Sequence, residues 1–82
     1  MQTLKVNVEV MRVEMARAGL RAGDLAERAN VHRNTIHNIL NSETAGLESI
    51  GQITHALNQS LREGGYREIG PFGLLMESAV MA

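Results

Sequence analysis

The chain has no cysteine and no tryptophan, and its 82 residues include only one proline, one tyrosine and one phenylalanine. Without cysteine it can form neither disulfides nor sites that use a thiolate. Because aromatic side chains are so few, a hydrophobic core must be built from aliphatic residues and methionine, and 44% of the chain is hydrophobic. A chain of this length predicts one small domain of marginal stability, which oligomerisation would help.

A long hydrophobic run is also missing, and the first residues lack the charged-then-hydrophobic pattern of a secretion signal. We therefore expect a cytoplasmic protein with no membrane partner. The net charge of −1 does not favour nucleic-acid binding by the chain as a whole. The charge is unevenly distributed, however: residues 1–42 carry six basic and four acidic side chains, and residues 43–82 carry two and five.

The segment 20–41, LRAGDLAERANVHRNTIHNILN, has the hydrophobic periodicity of two short helices, over about 22–29 and 33–40. Between them lies Asn30, a residue type that tolerates a left-handed backbone. Ala26 is small, as a close crossing of two helices requires. The other face of the second helix is polar and carries His32, Arg33, Asn34, His37, Asn38 and Asn41. Since Arg and Asn match base edges in the major groove, this face predicts a DNA-reading helix.

The flanking segments predict two further helices. Asn7 is a good N-cap for a helix over residues 8–18, and Gly19 ends it. Residues 47–58 repeat hydrophobic side chains at helical spacing. We expect residues before Asn7 to be an extended lead-in and residues 41–46 to form a polar loop.

The sequence LAERANVHRNTIHNIL resembles the helix-turn-helix of the Cro and phage-repressor (Xre-like) family of DNA-binding domains. The preceding MARAGL and the following LESIGQITHALN also match, so the likeness covers about residues 7–58. It implies an all-α fold, a small lambda-repressor-like helical bundle over residues 1–63. Residues 64–82 then form a tail that binds a partner or a second copy.

Carried over by position, the resemblance implies a set of DNA contacts. The expected base contacts are Arg33, Asn34 and Asn38, which match the family's base-contacting positions, and His37 is a further candidate beside them. The expected backbone contacts are Arg21, Ala22, His32, Asn41 and Thr44. Arg21 and Ala22 depart from the family, which has a Ser or Thr cap and a phosphate-contacting Gln there. Glu43 would be repelled by phosphates near Thr44.

A second departure concerns Met15 and Leu40, which stand where the family has a buried Arg–Glu pair. Because both members are exchanged together, no charge is left unpaired, and such an exchange can be neutral or stabilising. The double departure is therefore consistent with a preserved fold.

The tail predicts an amphipathic helix. Gly64 and Gly65 stop any helix that the capping-box pattern at Ser60 begins, and Pro71 favours the start of a new one. One hydrophobic stripe follows, made of Phe72, Leu75, Met76, Ala79 and Val80. It either covers Val10 and Val13 of its own chain or joins a second copy. We favour a dimer, because helix-turn-helix readers usually act as symmetric pairs.

Two functions remain open at this point. The leading one is a homodimeric transcriptional regulator, most simply a repressor, that binds a palindromic site in double-stranded DNA. The alternative is an antitoxin-like module whose C-terminal segment binds a partner protein. No enzymatic activity, cofactor or metal is expected: His32 and His37 are five residues apart, which does not align two ligands, and His55 most simply lies at the surface.

Overall fold

The structure, a computed structural model that describes residues 3–76, contains four helices and a short two-stranded sheet in that range. The elements in chain order are β1 (Thr3–Lys5), α1 (Val8–Ala18), α2 (Ala22–Ala29), α3 (Arg33–Ser42), β2 (Thr44–Gly46) and α4 (Leu47–Glu63). The predicted small helical domain is confirmed. The all-α expectation is corrected by the sheet.

α1 begins and ends where its sequence predicts. The side chain of Asn7 accepts a hydrogen bond from the Val10 N–H at 3.2 Å, which satisfies one of the free donors of the first turn. Gly19 takes a left-handed backbone with φ of 71°, and the Leu20 N–H then bonds back to the Met15 carbonyl at 2.9 Å. These local bonds make the helix bounds predictable from sequence.

α4 is longer than its sequence predicts and continues to Glu63. Ser60, which resembles the N-cap of a separate turn, lies inside this helix and is buried, and Leu61 is fully buried. Burying Leu61 removes apolar surface from water, which favours continuing the helix past Asn58.

The expected lead-in is a strand. β1 pairs with β2 in antiparallel register, and Leu4 lies opposite Ala45. Ala45 is buried and Leu4 packs against the core. Because side chains alternate along a strand, Lys5 and Thr44 are on the opposite face of the sheet.

The core is aliphatic, as the composition predicts. Its largest fully buried side chains are Val6, Met11, Leu25, Ile36, Ile50, Ile53, Leu57, Leu61 and Leu74. Met15 is buried and Leu40 packs against the same cluster. Met15 and Leu40, which stand where the family has a buried Arg–Glu pair, therefore both make apolar contacts.

The prediction of a helix that starts at Pro71 is wrong for the described residues, since residues 71–74 form turns. The Gly73 N–H bonds to the Gly70 carbonyl at 3.0 Å, and the Leu75 N–H bonds to the Phe72 carbonyl at 3.0 Å. Next to these turns, the Met76 N–H donates to the carbonyl of Lys5 in β1. It therefore bonds to a strand residue and not to the carbonyl of a preceding helical turn. The predicted residues Ala79 and Val80 lie outside the described range.

The tail packs on its own chain. Leu74 and Leu75 are buried in the same core as the helices, whereas Phe72 and Met76 are exposed. The side chain of Asn58 bonds to both the N–H and the carbonyl of Ile69, at 2.8 and 2.9 Å. Of the two alternatives left open for the stripe, Leu75 therefore follows the first, since it packs within its own chain.

We expect the same substitution at two glycines to have opposite effects on the free energy of unfolding. Gly19→Ala should destabilise by about 1 kcal/mol, because its left-handed φ disfavours a Cβ. Gly51→Ala should stabilise by up to about 1 kcal/mol, because Gly51 is exposed within α4 and an added Cβ meets nothing within 4 Å. Urea denaturation measures both. Equal effects of one sign would contradict the backbone geometry.

A second pair of variants tests the docking of the tail. Leu74→Ala should lower the free energy of unfolding by roughly 2–5 kcal/mol, because it opens a cavity in the core. Phe72→Ala, two residues away and half-exposed, should cost about 1 kcal/mol or less. Similar losses in the two variants would mean that the tail does not pack as described.

Candidate nucleic-acid interface

α2 and α3 pack directly against each other and are joined by a tight turn at Asn30. Asn30 has a left-handed backbone, with φ of 58°. The Val31 N–H donates to the Ala26 carbonyl at 2.9 Å. This bond satisfies a carbonyl of the last turn of α2 and ends the helix. Ala26 and Ala29 are buried, and their small side chains allow the two helices to approach closely.

One face of α3 is anchored and the other is free. Ile36 and Ile39 are buried in the core. The solvent-facing residues are Arg33, Asn34, His37, Asn38 and Asn41, all of them exposed. The four predicted base-contact residues therefore lie on one continuous surface, and α3 itself contains no acidic residue.

His32 forms the N-cap of α3, and its ring Nδ1 accepts a hydrogen bond from the Asn34 N–H at 3.1 Å. With Nδ1 as the acceptor, a neutral ring carries its hydrogen on Nε2. The imidazole therefore accepts the capping hydrogen bond that a Ser or Thr hydroxyl more often accepts at this position. This bond also fixes the first turn of α3, which bears Arg33 and Asn34.

The start of α2 lies beside the start of α3. A Cβ built on Gly23 would be 3.5 Å from the Cδ of Arg33, so the Arg33 stem passes along the first turn of α2. The Arg21 N–H donates to the Asp24 carboxylate at 3.1 Å. Among the residues that the structure describes, no side chain caps the first N–H groups of α2. These groups, including that of Ala22, can therefore bind an external acceptor.

Arg21 and Arg33 supply the charge of this region. Both are exposed, and within residues 3–76 neither forms an ion pair. By contrast, Arg28 is 3.2 Å from Glu63 and Arg17 is 2.6 Å from Glu14. Arg21 and Arg33, neither of which has an ion-pair partner in the described range, thus lie at the adjoining starts of α2 and α3.

The other end of α3 differs from the expected polar loop, because residues 44–46 form β2. Asn41 is exposed, and Thr44 is half-buried. The Ser42 Oγ donates to the Asn38 carbonyl at 2.7 Å and lies 3.0 Å from the Thr44 Oγ1. Glu43 ends α3 in a left-handed conformation, with φ of 58°.

Sequence reasoning missed Lys5 at this end. The register of the sheet sets it directly opposite Thr44. The alternation of Leu4 and Val6 was the signal that could have revealed a strand. The partner of that strand, however, could not be read from a local pattern.

Other kinds of site have no support in residues 3–76. No group of three or more His, Asp or Glu side chains in this range is arranged to hold a metal ion. No helix in the same range is long and apolar enough to cross a membrane.

Comparison of the chain with protein-family models, curated proteins and solved structures found no match.

The cap of α3 can be tested by substitution. His32→Ala should destabilise the protein by about 1 kcal/mol, because the Asn34 N–H loses its acceptor. His32→Ser should remain close to the parent protein, because its hydroxyl can accept the same bond. Thermal unfolding followed by circular dichroism measures both. An unchanged melting temperature in His32→Ala would show that the imidazole does not cap the helix.

Proposed function

We propose that this protein is a sequence-specific DNA-binding regulator of transcription, in which α2 and α3 form a helix-turn-helix and α3 enters the major groove. The observation that carries the proposal is the division of α3 into a buried apolar face and an exposed face of Arg, Asn and His without acids. An exposed helix of this kind presents donors and acceptors that pair with base edges.

Each residue of the exposed face has a distinct role in this proposal. Arg33 pairs with guanine and Asn34 with adenine, and each such contact contributes roughly 1–3 kcal/mol of discrimination. His37 and Asn38, one turn further along, read the neighbouring bases. Because α3 is held by its buried isoleucines, these contacts need little ordering of the protein backbone.

Phosphate contacts hold the domain in register without reading sequence. Arg21 and the Ala22 N–H contact one phosphate at the start of α2, where the helix dipole also favours an anion. The His32 Nε2–H contacts the backbone at the start of α3. Asn41 and Thr44 donate at the far end, so that contacts flank the reading helix on both sides.

Regulation follows most simply from occupancy, since a repressor that covers a promoter blocks polymerase. We propose that the protein acts as a homodimer on a palindromic site, as readers of this kind do. Within the described range, the surface open to a second copy includes Val13, Phe72 and Met76, which are exposed, with Val10 half-buried beside the core.

An antitoxin-like role remains the second candidate. The observation that favours it is the group of large apolar side chains left exposed on α1 and the tail: Val13, Tyr66, Phe72 and Met76. Burial of Leu74 and Leu75 in their own core leaves less of the tail available to a partner than the sequence predicts.

Selection of bound sequences from a random duplex library, at near-physiological salt, tests the proposed function. We expect enrichment of an inverted repeat whose half-sites are about 10 bp apart or a multiple of that, because two symmetric copies each present one α3. Weak, salt-sensitive binding without any enriched sequence would contradict sequence-specific regulation and favour the protein-partner role.

The selected site then allows a test of α3 itself. Arg33→Ala should weaken specific binding by about 1–3 kcal/mol and relax the choice of base at one position. Arg12→Ala is the matched control, because Arg12 is an exposed cation on α1 and belongs to neither helix of the proposed interface. Equal losses in the two variants would mean that Arg33 acts only through its charge.

A further inference from the structure

An open cavity of about 300 Å³ lies at the junction of α3, β2 and β1. We call it the α3–β2 corner, and it is lined by Lys5, Val6, Ser42, Glu43, Thr44 and Met76. Its lining residue Ser42 lies one helical turn after Asn38, and the Ser42 hydroxyl donates to the Asn38 carbonyl. The corner therefore continues the exposed surface of α3 at its C-terminal end.

The sheet determines which cation reaches the corner. Lys5 and Thr44 are direct cross-strand partners, and partners of this kind have their side chains on the same face. The neighbouring pair, Leu4 and Ala45, faces the core, so Lys5 and Thr44 face outward. Lys5 is exposed and, within residues 3–76, forms no ion pair.

The hydroxyl groups of the corner leave one donor for a ligand. A hydroxyl has a single hydrogen, and that of Ser42 is used on the Asn38 carbonyl at 2.7 Å. The Thr44 hydroxyl, 3.0 Å from the Ser42 Oγ, either donates to that oxygen or rotates toward an external acceptor. Thr44 is thus the hydroxyl that can bond to an anion beside Lys5.

Glu43 opposes anion binding at the same place. It lines the corner with Lys5, so the side chains there carry one positive and one negative charge. Without Lys5 the corner would be acidic and would repel DNA next to the reading helix. Lys5 offsets the repulsion between Glu43 and phosphates that the sequence predicts near Thr44.

We propose that the α3–β2 corner is a binding site for a phosphodiester of the DNA backbone, in which Lys5 supplies the charge and Thr44 the hydrogen bond. The proposal rests on the DNA-binding function proposed above and adds a contact from the N-terminal strand. The site clamps the backbone at the end of α3 opposite Arg21, and it contributes affinity without sequence preference.

The test is the salt dependence of binding to the selected duplex, with Arg12→Gln as the matched control. Lys5→Gln should make the slope of log K against log salt shallower by about 0.9, as expected for the loss of one phosphate contact. Its affinity at 0.1 M salt should fall roughly 8-fold, which is 0.9 log units relative to 1 M salt. Glu43→Gln should raise the affinity by a similar factor, because the repulsion is removed. Arg12→Gln should change neither quantity.

The outcomes separate this proposal from the one on which it depends. If the parent protein has no salt-dependent specific binding, the DNA-binding function fails. If the parent protein binds but Lys5→Gln matches Arg12→Gln in slope, only the corner proposal fails. Melting temperatures of the variants verify that each one is folded.

A titration with inorganic phosphate, followed by the amide NMR signals of Ser42 and Thr44, distinguishes a free anion from DNA as the ligand. We expect no saturable shift at millimolar phosphate, because one cation beside one carboxylate binds a small anion weakly. Saturation by phosphate alone, with an unchanged DNA salt slope in Lys5→Gln, would overturn the proposal in favour of a small-anion site.

Discussion

Burial of Ile36 and Ile39 is the constraint on which the candidate site depends. Both side chains are buried in the core, and this sets the rotation of α3 about its own axis. With that rotation set, the helical repeat turns Asn34, His37 and Asn38 to solvent together. The packing of small residues of α2 against α3 then holds the helix in place, so a surface of polar side chains is positioned by contacts that are themselves apolar.

The hydrophobic core that supplies this anchor is completed by parts of the chain outside the α2–α3 pair. Val6 precedes α1, Leu61 lies in the last turns of α4, and Leu74 belongs to the tail, yet all three are fully buried. A domain this small has little apolar surface to spare. The tail is therefore a structural part of the domain, and its backbone bonds to the residues around β1 join the two ends of the described chain.

Charge acts locally in this protein. The net charge of −1 describes neither end of α3: exposed Arg21 and Arg33 lie near its start, while Lys5 and Glu43 balance each other at its finish. Long-range attraction of DNA is accordingly weak, and short-range hydrogen bonds carry more of the proposed recognition. In the proposed DNA complex, this arrangement would favour discrimination between sequences over strong binding to any duplex.

The sequence alone determined α1 with its Asn7 and Gly19 caps, the turn at Asn30 and the exposed face of α3. These features depend on side chains a few residues apart, so periodicity and capping residues are sufficient to find them. The pairing of Lys5 with Thr44 and the turns that replace a helix after Pro71 come instead from tertiary contacts. Both depend on hydrogen bonds and burial between segments distant in the chain, which no local pattern encodes.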